Sequence, residues 1–494
     1  MKASEEISTV SKIRQKVSTV KLFGYALGEG AVSITMNGIG NFAMLFYTQI
    51  LGLSAGYAGT ALSVTLVWDA ITDPLMGHLT DNTRSRFGRR LPYVFFGGFA
   101  LAVSFLLLWV IPQHAGTAQA AFWAVLLINL LVRTAVTVFV IPYTALGFEI
   151  APEYNDRSRL QGIRIFVNQA SNFIFGACAW VLFFGDKTGE DGARIDGTLV
   201  ESNYVVMGVV LAIFALMLIL GSIYATRDRA VDNRNEELPG NNLKAFVRDF
   251  VETISDRLAL IVILFFTFAN LGMMLVSQVQ MFTYVFYMEF TALQKTIVHG
   301  GGMIATALAA LWVTRLIKRF DKKALAYIGI AVSIFGGLVS YVLFSGGLVA
   351  RDAVWMLGET EIPIAVILFG LGQALWWGGT GIVVPTSVSM IADVSAANYA
   401  KSGQLKDGSY SAIFGFVLKL GSAVGLLITG WLVDWAGIIS QAESQTLEAI
   451  NRIASATFLS GPAVMIIAFV IVAKYPLNRA VMEKIDSQNR EKDQ

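Results

Sequence analysis

The sequence predicts an all-α membrane protein of twelve membrane-spanning helices arranged as two six-helix halves. Three observations predict it. Only 15% of the 494 residues are charged, 55% are hydrophobic and the mean hydropathy is +0.61, whereas a soluble domain carries about 25% charge. Apolar stretches of about twenty residues or more alternate with short polar intervals along the whole length, each long enough to cross a hydrocarbon core of about 30 Å as a helix. The longest polar interval, residues 226–257, divides the apolar stretches into two sets of six. Only helices and closed barrels can cross a bilayer, and the absence of ten-residue alternation selects helices.

Residues 1–21 are polar and basic, with Lys12, Arg14, Lys16 and Lys21, and read as a cytoplasmic N-terminal segment. The first span, 22–51, is too long for a signal peptide and lacks a small-residue cleavage site, so it reads as permanent. Spans 56–80, 92–112, 118–150, 160–185 and 203–225 complete an N-terminal half, 22–225. The linker 226–257 holds Asp228, Arg229, Asp232, Glu236, Glu237, Pro239 and Gly240, with a short amphipathic helix expected near 243–251. Spans 258–287, 294–317, 324–347, 362–393, 408–436 and 453–475 form a C-terminal half, 258–475, followed by a cytoplasmic tail, 476–494. The 46 glycines suit close helix packing in lipid. A two-half layout is common in secondary transporters, with the solute site between the halves near the midplane.

Loop charges set the expected orientation. One set of loops carries Arg84, Arg86, Arg89 and Arg90, then Arg157 and Arg159, then Arg227, Arg229, Arg234, Lys244 and Arg248, then Lys318, Arg319, Lys322 and Lys323, then Lys401 and Lys406. The opposite loops are poor in basic residues; loop 186–202 sets five acids against Lys187 and Arg194. The basic loops, and with them both termini, are expected in the cytoplasm, and the chain in a plasma membrane such as the bacterial inner membrane.

Other classes are excluded by what the chain lacks. With 37 basic and 35 acidic residues the net charge is +2, which offers nothing to nucleic acid. The single cysteine, Cys178, permits no internal disulfide, and His78, His114 and His299 lack metal-ligand spacing. No zinc-protease, CxxC or Walker motif is present, so neither an enzyme nor an ATP-driven pump is expected, and no cofactor. The expected partners are the bilayer and a small solute, handled by a monomer.

Ionisable groups inside spans are costly and mark function. On the second span Asp69 and Asp73 are four residues apart, which places both carboxylates on one helix face about 6 Å apart. At an effective dielectric of about 20 they repel by roughly 3 kcal/mol, so they call for a proton or a cation between them. Hard cations suit carboxylates, and Thr72 adds a hydroxyl. Pro74 removes a helix hydrogen bond beside them. Lys419 lies alone in an apolar span and needs a carboxylate, for which Asp69 and Asp73 are the candidates. Arg133 lies within the fourth span, with Asp69, Asp73 and Glu149 as candidate partners. At the basic end of the second span, Asp81 faces Arg84, Arg89 and Arg90, an arrangement that reads as a charge latch for one conformation as well as a topogenic signal. Glu29 and Asp434 lie near span ends and read as interfacial.

The run from Trp68 to Arg90, with Gly77 and Asp81 followed by Arg86, Gly88, Arg89 and Arg90, resembles the second-to-third-helix loop of the major facilitator superfamily. In full it resembles the glycoside–pentoside–hexuronide:cation symporter family, of melibiose-permease-like proteins. The stretches Ile141 to Leu146, Asp156 to Arg159 with Gly162 to Arg164, and Met390 to Asp393 with Lys419 are similar to that family's fourth, fifth, tenth and eleventh helices. The resemblance spans most of the chain. It implies the major-facilitator fold and cation-coupled symport of a sugar or glycoside, with H+ or Na+ as coupling ion. It implies that Asp69 and Asp73 bind the cation, that Arg164 contacts substrate and that Lys419 lies beside the cation site.

The chain also departs from the family pattern. Ser33 and Val140 stand where a sugar-binding and a sugar-and-cation-binding aspartate are expected, and Arg133 is added. A less polar solute such as a lysophospholipid, or cation-independent transport, is therefore kept as an alternative. Arg133 and Lys419 are also candidates for solute contact, and weaker candidates are Asn37 and Asn41 on the first span, Asn168, Gln169 and Asn172 on the fifth, and Gln373, Trp376 and Trp377 on the tenth, since amides bind hydroxyls and aromatic faces bind sugar rings.

Overall fold

A computed structural model describes residues 17–151, 153–190, 192–232, 251–357, 360–403, 407–442 and 444–492. Twelve long helices run back and forth: α1 (Thr19–Leu45, extended by a wide turn Phe46–Ile50), α2 (Ala55–Asp81), α3 (Leu91–Val110), α4 (Ala118–Ile150), α5 (Tyr154–Asn172) and α6 (Glu201–Asp232) in the first half. The second half holds α7 (Arg257–Phe282), α8 (Ala292–Arg319), α9 (Lys322–Ser340), α10 (Ile364–Ser402), α11 (Asp407–Ala436) and α12 (Leu447–Val472), and a tail helix α13 (Arg479–Lys492) follows. Two small hairpins, β1 (Lys187–Thr188) with β2 (Arg194–Ile195) and β3 (Trp355–Leu357) with β4 (Thr360–Ile362), cover the end opposite the basic loops.

Local chemistry starts and stops these helices. Ser18, Ser54, Thr117, Asp256 and Thr446 each accept a hydrogen bond from a first-turn backbone N–H, and Thr291 with Gln294 closes a capping box on α8. Gly403, at φ +68°, ends α10, a left-handed conformation that glycine adopts without strain. α10 runs nine residues beyond the expected limit of 393. The fifth span is interrupted by a wide turn at Phe173–Ala177 before a last short helix, Ala179–Phe183. Residues 1–16 of the N-terminal segment, most of the linker and its amphipathic helix, and Lys406 lie outside the described residues.

Among the described residues, nine helices are long and apolar enough to cross a membrane. The other three long helices are α1, α2 and α5, which carry the polar groups of the interior: Asn37 and Asn41, Asp69 and Asp73, and Arg164, Gln169 and Asn172. These polar groups lower the hydropathy of the three helices, and polar groups inside a span are costly.

The halves meet along α2 against α11, α1 against α7, and the end of the fifth span against α8. At the end opposite the basic loops the seam is tight. A Cβ added to Gly430 would lie 2.4 Å from the Ala55 carbonyl oxygen, and one on Gly59 2.6 Å from that of Leu426, so the two backbones touch. Asp434 of α11 accepts from the N–H groups of Ala55 and Gly56 at 2.9 and 2.8 Å, capping α2 from the other half. It is therefore a cross-half clasp as well as a residue near a span end. Arg194 donates to the Glu289 and Phe290 carbonyls, both at 2.7 Å, and the fully buried Lys295 pairs with Asp196. At the basic end, bonds among the described residues include several inside one half: Val17 to Asp156, Arg89 to Glu149, and Lys322 and Tyr475 to Asp393.

Candidate functional site

α2 continues through Pro74, and Asp69 and Asp73 fall on its face toward α4 and α11. Asp69 is 4% exposed. The Lys419 Nζ of α11 lies 2.8 Å from Asp69 Oδ2 and also contacts Asp73 Oδ2, so one ammonium answers both acids. The Thr137 hydroxyl of α4 lies 3.1 Å from Asp69 Oδ1 and 2.9 Å from Asp73 Oδ1. Two acids, one hydroxyl and one ammonium from three helices thus form a single cluster, with the ammonium supplied by the opposite half.

Thr72 does not reach the carboxylates. Its hydroxyl donates back to the Trp68 carbonyl at 3.0 Å and lies 3.3 Å from Thr137 Oγ1. Thr72 is three residues from one acid and one from the other, so it projects off their shared face, and Thr137 takes the position expected of it. Nothing in the primary structure tied Thr137 to these acids; its spacing of four from Arg133, an intramembrane charge, is the only pointer.

Arg133 is half-buried in the middle of α4. Its Nη1 lies 3.7 Å from the Met36 sulfur, and among the described residues it forms no ion pair. The expected pairing with Asp69, Asp73 or Glu149 is therefore not made. Lys419 takes the first two, and Glu149 is held by Arg89 at 2.6 Å and Arg90 at 3.0 Å.

Arg164 of α5 pairs with Glu29 of α1 through Nε at 2.9 Å and through Nη2, and lies over the stacked rings of Tyr25 and Tyr143. Glu29 is thus a partner inside the first half rather than an interfacial residue. Its carboxylate neutralises the guanidinium expected to contact substrate.

A cavity of about 250 Å³ lies between the halves. Asn37 and Asn41 of α1 and Gln169 and Asn172 of α5 line one side; Ser277, His299, Met303, Thr306 and Trp377 line the other. Trp377 donates to Gln373 Oε1 at 3.1 Å. Trp376 does not join it: at 2% exposure it is packed into the second half against Gly461 and Val276. Consecutive helical residues point about 100° apart, so only one of the two tryptophans can face the cavity. Asn168 likewise gives way to Gln169 and Asn172; its backbone carbonyl accepts from Ser33. Ser277, His299, Met303 and Thr306 carry no sequence signal for this place, because their neighbours across the seam come from the other half.

At the basic end Arg90 lies 3.3 Å from Asp81. Asp81, Arg89, Arg90 and Glu149 thus form one charged knot inside the first half, while Arg84 is exposed.

Residues 24–479 match the family described as MFS/sugar transport protein. The chain belongs to this family. Its members are membrane transporters, and the chain is not an enzyme. Among relatives, it is 25% identical to the glucuronide carrier protein homolog of Escherichia coli (strain K12), covering 97% of this chain and 98% of the other. It is 25% identical to the sodium-dependent lysophosphatidylcholine symporter 1 of Xenopus tropicalis, covering 97% and 93%, and 24% identical to the isoprimeverose transporter of Lactiplantibacillus pentosus, covering 87% and 83%. The fold matches solved structures of the nucleoside transporter NupG, with a TM-score of 0.60 and 13% identity over 93% of this chain and all of the other. It also matches the xylose transporter XylE from E. coli, with a TM-score of 0.56 and 13% identity over 95% and 98%. The family is thus a symporter family whose named solutes differ widely, so its fold and ancestry leave the solute to be argued from the site.

Proposed function

We propose that this chain is a cation-coupled symporter of a sugar or glycoside, working by alternating access in a plasma membrane with its basic loops and both termini in the cytoplasm. The observation that carries the reading is the Asp69–Asp73–Thr137–Lys419 cluster. Two acids of one half share a positive guest, and in this conformation the guest is a side chain of the other half. A proton or sodium ion entering the cluster takes over from the Lys419 ammonium, which loosens one tie between the halves and lets them rock about the cavity. The tight seam lies at the end without basic loops, which makes this conformation the inward-facing one. Amides on one wall and Trp377 on the other suit hydroxyls and a ring face. A lysophospholipid, the second reading, would call for a continuous apolar track for its chain, and polar residues dominate this lining.

The test is uptake of a glycoside panel into proteoliposomes with sodium and pH gradients imposed separately. Asp69→Asn is expected to abolish gradient-driven uptake while leaving the protein folded. Unchanged accumulation in that variant would sink the symport reading.

A further inference from the structure

We propose a second solute site stacked on the first: an entry subsite for a sugar ring at the tight end of the seam, built from Trp180, Tyr284 and Thr296. It rests on the glycoside symport reading above and adds a stage at which the solute is held before it reaches the cavity.

The placement of these residues leads to it. Ser277 of α7 and His299 of α8 line the cavity. Tyr284 is seven residues after Ser277. Seven residues are close to two helical turns, so it lies on nearly the same face, about 10 Å nearer the tight end. Its ring centroid is 6.4 Å from that of His299 and 6.2 Å from that of Trp180, which belongs to the first half. Thr296 lies about one turn beyond His299 on α8 in the same direction. Trp180 and Tyr284 are fully buried and roof the cavity across the seam. Lys295, paired with Asp196, sits on this roof with its Nζ 5.4 Å from the Trp180 ring centroid.

The roof carries polar atoms that the closed seam does not use. Trp180 Nε1, the Tyr284 hydroxyl and Thr296 Oγ1 are buried without a hydrogen-bond partner among the described residues. A buried polar group left unpaired is costly and calls for an explanation. Three in one roof are explained by a partner that is present when the seam is open.

The rings are fixed for that role. Trp180 is held inside the first half by Phe42 and Phe184, at centroid distances of 4.8 and 6.2 Å. Tyr284 is held inside the second half by Phe290 and Phe369, at 6.1 and 5.8 Å. When the tight end parts, each ring stays with its own half, and the gap between them opens onto the cavity. Two aromatic faces flanked by hydroxyl and N–H groups suit the C–H side and the hydroxyls of a sugar. Closure then exchanges these bonds for those of the cavity amides, so delivery inward is part of the same movement.

The test uses the full chain in right-side-out membrane vesicles, with sodium and pH gradients imposed separately. The probes are methyl β-D-glucoside and its 2-, 3-, 4- and 6-deoxy analogues. At least one analogue is expected to need about fivefold more for half-maximal entry, the effect of one lost hydrogen bond. Tyr284→Phe and Thr296→Val each remove one hydroxyl that contacts nothing in the closed seam, so both are expected to fold. In at least one of them the glucoside and that analogue are expected to become equal, because the protein hydroxyl and the solute hydroxyl are partners. A shift between conformations moves both sugars together and leaves their ratio unchanged, which separates contact from a structural role. Ratios for all four analogues unchanged in both variants, or equal half-saturation for all five sugars in the parent protein, overturn the subsite and leave symport standing. No entry of any of the five under either gradient overturns the glycoside reading and the subsite with it.

Discussion

The ammonium of Lys419 lies 2.8 Å from the carboxylate of Asp69, and the two residues belong to different halves of the molecule, separated by 350 positions. The same ammonium touches Asp73. Under the proposed symport, a contact between halves at this place makes ion binding and conformation one equilibrium: the ion would compete with the lysine for the same oxygens, and only the lysine is tethered to the other half.

Lys419→Met leaves two acids with no ammonium beside them. Affinity for sodium or protons at the cluster is expected to rise at least tenfold, equivalent to about 1.4 kcal/mol, while accumulation of solute falls because occupancy no longer changes the tie between the halves. Ion titration followed by tryptophan fluorescence in detergent checks this. An unchanged affinity would show that Lys419 does not compete with the ion.

Gly430→Ala places a methyl group 2.4 Å from the Ala55 carbonyl oxygen. Backbone on both sides cannot yield, so the tight end must separate. Spin labels at Glu190 and Leu348, exposed loop positions of the two halves, are expected to move apart by several ångströms in most molecules, with Cys178 replaced by serine. Distances distributed as in the parent protein would contradict the backbone contact.

Asp434→Ala removes the acceptor of two N–H groups at the start of α2. Loss of such a cap costs about 1–2 kcal/mol, here charged entirely to the closed state of that end. The closed-to-open ratio is expected to fall about tenfold by the same spin-label pair. Asp434→Asn, which keeps one acceptor, is expected to fall between.

Lys295→Met removes the near partner of the Asp196 carboxylate, whose side chain is 10% exposed, and leaves it only the Arg194 guanidinium at 3.9 Å. Breaking a buried pair from one side costs about 3–5 kcal/mol, so the thermal midpoint in detergent is expected to drop clearly. Lys295→Met/Asp196→Asn removes both charges and keeps the acceptor for the Thr198 N–H, and is expected to recover most of the loss. No recovery would mean that the lysine acts through packing alone.

Much of the site is legible along the chain because its determinants are local. Asp69 and Asp73 share a face through helix geometry, and burial in a span makes them costly wherever their neighbours are. The fifth span shows the opposite case. The partner of its Arg164, Glu29, lies 135 residues away, and nothing near Arg164 in the chain announces it. Trp376 and Trp377 are equal candidates by composition, and the rotation of α10 in its packing decides between them.

By itself the amino-acid order determined that this chain crosses a bilayer twelve times and that its second span carries a pair of mutually repelling acids. Span length, loop charge and the four-residue spacing are properties of a helix in lipid and require no partner. Only the tertiary structure decided which group answers those acids, that Arg133 is not that group, and which end of the seam is closed. Those outcomes depend on side chains hundreds of residues apart meeting between helices, and nothing in the local chemistry of either partner encodes the meeting.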